Sequence, residues 1–134
     1  MTRGHTITTE PGTARVQVVI DGETLADSTR AVLLHETGLP TRYYLPRDDV
    51  AMDRLVATAT DSNCPFKGDA VYWSARVGDR VVDDVAWSYP EPIAERADIT
   101  GLICFFDERV DELLVDGEPV ARPETPWSAA PSSS

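Results

Sequence analysis

The chain has 134 residues and a mass of 14.7 kDa, a length that sets a single domain with room for a hydrophobic core. It is 42% hydrophobic and 26% charged, which excludes an intrinsically disordered chain. Its net charge of −11, from 12 basic and 23 acidic side chains, repels a phosphate backbone, so nucleic acid is not an expected partner.

Residues 1–13 are polar, with Pro11 and Gly12 at their end, and read as a flexible tail. They contain no secretory apolar stretch, and no run in the chain reaches the roughly 18 apolar residues of a membrane span. The expected setting is therefore the cytoplasm, without membrane contact. Residues 14–121 read as one domain.

Strand signals dominate that domain. "RVQVVI" (15–20) is β-branched and runs through the Asp21-Gly22 turn signal into "ETLADS". "RAVLLHE" (30–36) and "RYYL" (42–45) are further short strands, separated by Gly38 and Pro40. Residues 48–56, "DDVAMDRLV", read as two helical turns capped by Asp48 or Asp49, with Val50, Leu55 and Val56 toward the core. "AVYWSARV" (70–77), Gly78-Asp79 and "RVVDDVAW" (80–87) form the clearest hairpin signal. "PIAERA" (92–97) reads as one helical turn, and "GLICFF" (101–106) as a strand buried on both faces. "LVDGEPVA" (114–121) echoes "VIDGETLA" (19–26), as two similar hairpin ends that would pair the termini of the domain. Residues 122–134, rich in Pro, Ser and Ala, read as a second flexible tail carrying Trp127. Many short strands with frequent turns predict an all-β domain of small antiparallel sheets with one or two short helical turns.

The common phosphate-loop, dinucleotide, nucleophile-elbow and zincin motifs are absent, and so is the D-x-D spacing that would hold a nucleotide's metal ion. Asp48-Asp49 and Asp83-Asp84 are adjacent pairs, which strand alternation turns to opposite faces. Cys64 and Cys104 lie 40 positions apart, and His5 and His35 complete the sulfur and imidazole inventory without metal-ligand spacing. No metal and no cofactor is expected, and the thiols read as free. His35, beside Glu36, reads as a partly buried, hydrogen-bonded ring.

Seven of the ten aromatic residues fall between positions 43 and 89: Tyr43, Tyr44, Phe66, Tyr72, Trp73, Trp87 and Tyr89. Alternation puts Tyr72 opposite Trp73 and Trp87 on the side of Tyr89, so one of each adjacent pair enters the core and the other faces outward or into a cleft. Each ring is either core filling or pocket wall. "CPFKG" (64–68) adds Lys67, the single lysine in a chain with eleven arginines. Pro65 and Gly68 make a stiff turn there. Cys64 and Lys67 are the weak catalytic candidates, as an activated thiol, a Schiff-base amine or an anion clamp; the alternatives are a structural thiol and an exposed amine.

R-V-x-V at 15–18, L-A-D-S at 25–28, R-Y-Y-L-P-R-D-D-V at 42–50, C-P-F-K-G-x-A-x-Y-W at 64–73, A-W-x-Y-P at 86–90 and G-L-I-C-F-F at 101–106 together carry a resemblance. The chain resembles the bacterial domain of unknown function 427 family, also labelled nucleotidyltransferase-type domain 9, over residues 15 to about 121. The resemblance implies a β-tent (Mss4-like) fold of two small antiparallel sheets meeting at an angle. Many proteins of that shape hold a structural zinc on two C-x-x-C pairs; this chain has neither pair, so zinc does not carry over.

The leading expectation is a domain that binds a small molecule or modified side chain in an aromatic-lined pocket. Tyr43, Tyr44, Trp73, Trp87 and Tyr89 would frame it, with Lys67 and Arg42 offered to an anionic or carbonyl group. One alternative is an enzyme using Cys64 as a redox or nucleophilic thiol, or the nucleotidyl transfer of the family label. Another is an interaction module whose acidic second half and Trp127 meet a protein partner.

Overall fold

The computed structural model describes residues 6–65 and 67–120. The architecture is all-β: two antiparallel sheets, one of seven strands and one of four, with short 3-10 turns between strands of the larger. In chain order the strands are β1 (Ile7–Pro11), β2 (Val16–Ile20), β3 (Glu23–Ser28), β4 (Val32–Glu36), β5 (Arg42–Leu45), β6 (Leu55–Cys64), β7 (Gly68–Val77), β8 (Arg80–Ser88), β9 (Ile103–Phe105), β10 (Glu112–Val115) and β11 (Glu118–Pro119). The larger sheet has the order β1-β4-β5-β9-β8-β7-β6 and the smaller β11-β10-β2-β3.

The two D-G-E echoes close equivalent hairpins. Asp21-Gly22 (φ 50° and 76°) joins β2 to β3, and Asp116-Gly117 (φ 52° and 83°) joins β10 to β11. Two consecutive residues of positive φ give the turn whose twist matches antiparallel strands, which is why Gly stands second in each. β10 then pairs with β2, Leu113 opposite Val18 and Val115 opposite Val16, so the two ends of the domain meet in one sheet. Between the sheets lies the main core, where Val16, Val18, Ile20 and Leu25 of the small sheet meet Leu45, Trp73, Ile103 and Phe105 of the large one.

Two segments differ from the sequence reading, and both are edges of the large sheet. Residues 7–11, taken with the polar tail, form β1 and pair with β4 from Ile7–Glu36 to Pro11–Val32. Residues 55–56, taken with a helix, open β6, while residues 47–49 and 52–54 form separate 3-10 turns. Val50 and Leu55 are buried as expected, but Val56 is exposed. An edge strand with both faces wet shows no apolar alternation, so its sequence carries little signal of its own. The turn read at 92–97 is a 3-10 segment at Ala94–Ile99.

One aspartate of each adjacent pair has structural partners. Asp84 (φ 46°) sits where the β7–β8 register shifts, and its carboxylate accepts bonds from Thr58 and Thr60, each 2.8 Å. Asp49 accepts from Ser28 and Arg30 across to β3. No helix among the described residues is long and apolar enough to cross a membrane.

Candidate functional site

Alternation along the large sheet sorts its side chains between two faces. One face packs on the small sheet. The other carries a second cluster, Leu34, Tyr44, Ala70, Trp87, Tyr89, Ile99, Cys104 and Phe106, beside a cavity of about 350 Å³. Its walls are built from residues two apart on successive strands: Leu34 and Glu36 on β4, Arg42 and Tyr44 on β5, Ser62 and Cys64 on β6, Trp87 and Tyr89 on and just past β8. Tyr72, Phe106 and Lys67, with Leu39 and Pro40 of the β4–β5 turn, complete it.

Of the residues singled out from sequence, Arg42, Tyr44, Cys64, Lys67, Trp87 and Tyr89 line this cavity. Tyr43 and Trp73 do not. Both pack on the inter-sheet core, because each is one residue out of step with a cavity-facing neighbour, Tyr44 or Tyr72. Phe66 and Trp127 lie outside the described residues.

The turn before β7 fixes Lys67 from both sides. Its N–H donates to the Cys64 carbonyl at 3.0 Å, closing a turn over Pro65, and its carbonyl accepts from the Ile93 N–H at 2.9 Å. Gly68 follows with φ +126°, and a Cβ there would stand 3.0 Å from the Cα of Pro92. Glycine is required by both the backbone angle and the close approach. So held, the Lys67 side chain is nine-tenths buried, and its Nζ donates to Glu36 Oε1 at 2.6 Å.

A second buried cation forms the floor. The Arg42 guanidinium donates to both Glu108 oxygens, at 2.8 and 2.9 Å, and lies 5.3 Å from the Trp87 ring centre and 5.6 Å from that of Phe106. Burial works most strongly against its charge, but the Glu108 bonds together with the negative field of Cys104, Glu108 and Asp107 more than offset this, and its pKa stands above the ordinary arginine value. Asp107 is also near, 3.6 Å from Arg42, and its Oδ1 makes no hydrogen bond among the described residues. Desolvation raises its pKa to about 6 even against the pull of Arg42.

The aromatic walls are themselves tied. Trp87 Nε1 donates to the Tyr44 hydroxyl at 3.1 Å, the two rings meet edge to face, and Trp87 packs on Phe106 with centres 4.3 Å apart. Burial pushes the Tyr44 and Tyr89 phenols up from their usual range, so both stay protonated donors at neutral pH. The Tyr89 hydroxyl has no hydrogen-bond partner among the described residues and borders the cavity. Tyr72 shares a 2.8 Å hydrogen bond with Ser62.

Cys64 and Cys104 are free thiols. Cys104 is fully buried and burial pushes its thiol well up, which makes it packing material. Cys64 faces the cavity, and among the described residues its sulfur makes no side-chain hydrogen bond to a group that could act as its base. His35 bonds Thr41 at 3.0 Å and Glu10 at 2.7 Å, outside this cavity. Among the described residues no group of three or more His, Cys, Asp or Glu is placed to hold a metal ion.

Sequence reading passed over Glu36, Ser62, Phe106 and the Glu108 beneath Arg42. Glu36 had one available signal, since it is two positions from the buried Leu34 on a strand.

Comparison with known proteins adds the family and nothing finer. No curated protein matches the chain. The family model described as a domain of unknown function (DUF427) matches residues 8–116, and the chain belongs to that family.

Proposed function

We propose that this protein binds a small molecule, or a modified side chain presented by another chain, in the cavity on the open face of the large sheet. The observation that carries this reading is one arrangement: five aromatic side chains and a buried Lys67–Glu36 ion pair converge on about 350 Å³ of space. A cavity of this size suits a compact ligand, and apolar walls with a few placed polar groups are the usual form of such sites. An ion pair this buried costs desolvation, and a hydrophobic replacement is often at least as stable. Its retention at the cavity wall is better accounted for by recognition than by stability.

The thiol-enzyme reading has weaker support, since Cys64 reaches the cavity without a base. Nucleotidyl transfer draws on the family label alone.

The test is a metabolite-library titration of the full chain followed by the indole N–H resonances, assigned with Trp73→Phe and Trp87→Phe. Binding should move the Trp87 resonance and leave that of Trp73 near its place. Ligands that move only Trp73, or a library that moves neither, would remove the pocket reading.

A further inference from the structure

Resting on that pocket, we infer that its ligand is uncharged and flat, with a carbonyl at its edge, and that the site discriminates against both anions and cations of the same shape. The inference comes from a count of the charges that meet the cavity. Lys67 is matched by Glu36 at 2.6 Å, and Arg42 by both oxygens of Glu108. Each cation is already paired inside the protein.

An anion entering would lose its hydration and find no unmatched positive charge in return. It would also approach Glu36, which lines the wall, with Asp107 behind Arg42. A cation fares no better despite the aromatic walls. Lys67 and Arg42 both border the space, and the Arg42 guanidinium already lies against the Trp87 and Phe106 rings that would otherwise receive it.

A neutral ligand avoids both penalties and still finds donors. The Lys67 ammonium has three N–H bonds, of which the Glu36 bond uses one. The Tyr89 hydroxyl, without a partner among the described residues, is a second donor toward the same space. A carbonyl oxygen can accept from these while the ring face lies on Tyr44, Tyr72 or Trp87. Of the two groups expected for Lys67 and Arg42, anionic or carbonyl, the carbonyl is the one that fits this balance.

Three probes of matched shape separate the cases: benzamide, benzoate and benzyltrimethylammonium, titrated at constant ionic strength with the Trp87 indole resonance as readout. Benzamide should bind at least about tenfold more tightly than either ion. Equal or tighter binding of benzoate or of the cation, at Trp87, overturns the inference and leaves the pocket standing. If none of the three moves Trp87, even at the solubility limit of each, the inference fails, and the library titration then decides separately whether the pocket fails with it. The Glu36→Gln variant supplies the inverse test, because it leaves Lys67 unmatched. Benzoate should then gain about tenfold or more over benzamide, relative to wild type, and an unchanged order sinks the charge-balance argument. If Glu36→Gln does not fold, Lys67→Gln should instead gain for benzyltrimethylammonium, with an unchanged order again overturning it.

Discussion

The two faces of the seven-stranded sheet are made by the same strands and serve opposite ends. The face toward the small sheet is aliphatic and aromatic, with Val85, Ile103 and Phe105 almost fully buried. The open face buries Arg42, Lys67 and Glu108 among rings and leaves a cavity. One face is closed by another sheet and stores stability; the other is closed only in part and keeps costly polar groups. Such an asymmetry within one sheet is what makes the open face the candidate site, because a buried ion pair is weak evidence of a stability benefit.

The comparison can be broken by mutation. The largest loss is expected at the closed face: Phe105→Ala should cost about 4 kcal/mol in urea unfolding, from lost transfer energy and the cavity left behind. Next is Glu108→Ala on the open face, which strands Arg42 in the interior and should cost about 3 kcal/mol. If that variant is as stable as wild type, the floor of the cavity is not the tight pair described here.

The third is a pH effect. The folded pKa of Asp107, about 6, stands above the ordinary value of 3.8, so the folded state holds that proton where the unfolded chain has lost it. Stability owed to this group is present below about pH 4 and is lost as pH rises through about 6. The gain from Asp107→Asn over wild type should therefore be larger at pH 7 than at pH 4, by on the order of 2 kcal/mol. A pH-independent difference would contradict the buried carboxyl. Smallest is Tyr44→Phe, which removes the acceptor of the Trp87 N–H and should cost about 1 kcal/mol while shifting the Trp87 indole resonance.

Much of the fold could be read from local pattern. β2, β3, β4, β5, β7, β8 and β9 follow β-branched or apolar runs between turn residues, and the Asp-Gly pairs mark two hairpins. β1 and β6 escaped because edge strands are held by backbone pairing, which leaves no apolar alternation to see. The lining of the cavity was half legible for a related reason: concentration of aromatics pointed to strands that line it, but Tyr43 and Trp73 could not be told from Tyr44 and Tyr72.

Alternation with period two is a relative statement. The sequence by itself determined that Tyr43 opposes Tyr44 and Tyr72 opposes Trp73, and that Pro65 and Gly68 would stiffen the turn carrying Lys67. Only the tertiary structure decided which of each pair faces the cavity, because that depends on which side the small sheet covers. It alone brought Lys67 to Glu36 across 31 positions and Arg42 to Glu108 across 66. No local pattern specifies a partner at that distance; the order of strands in the sheet and the loops they carry do.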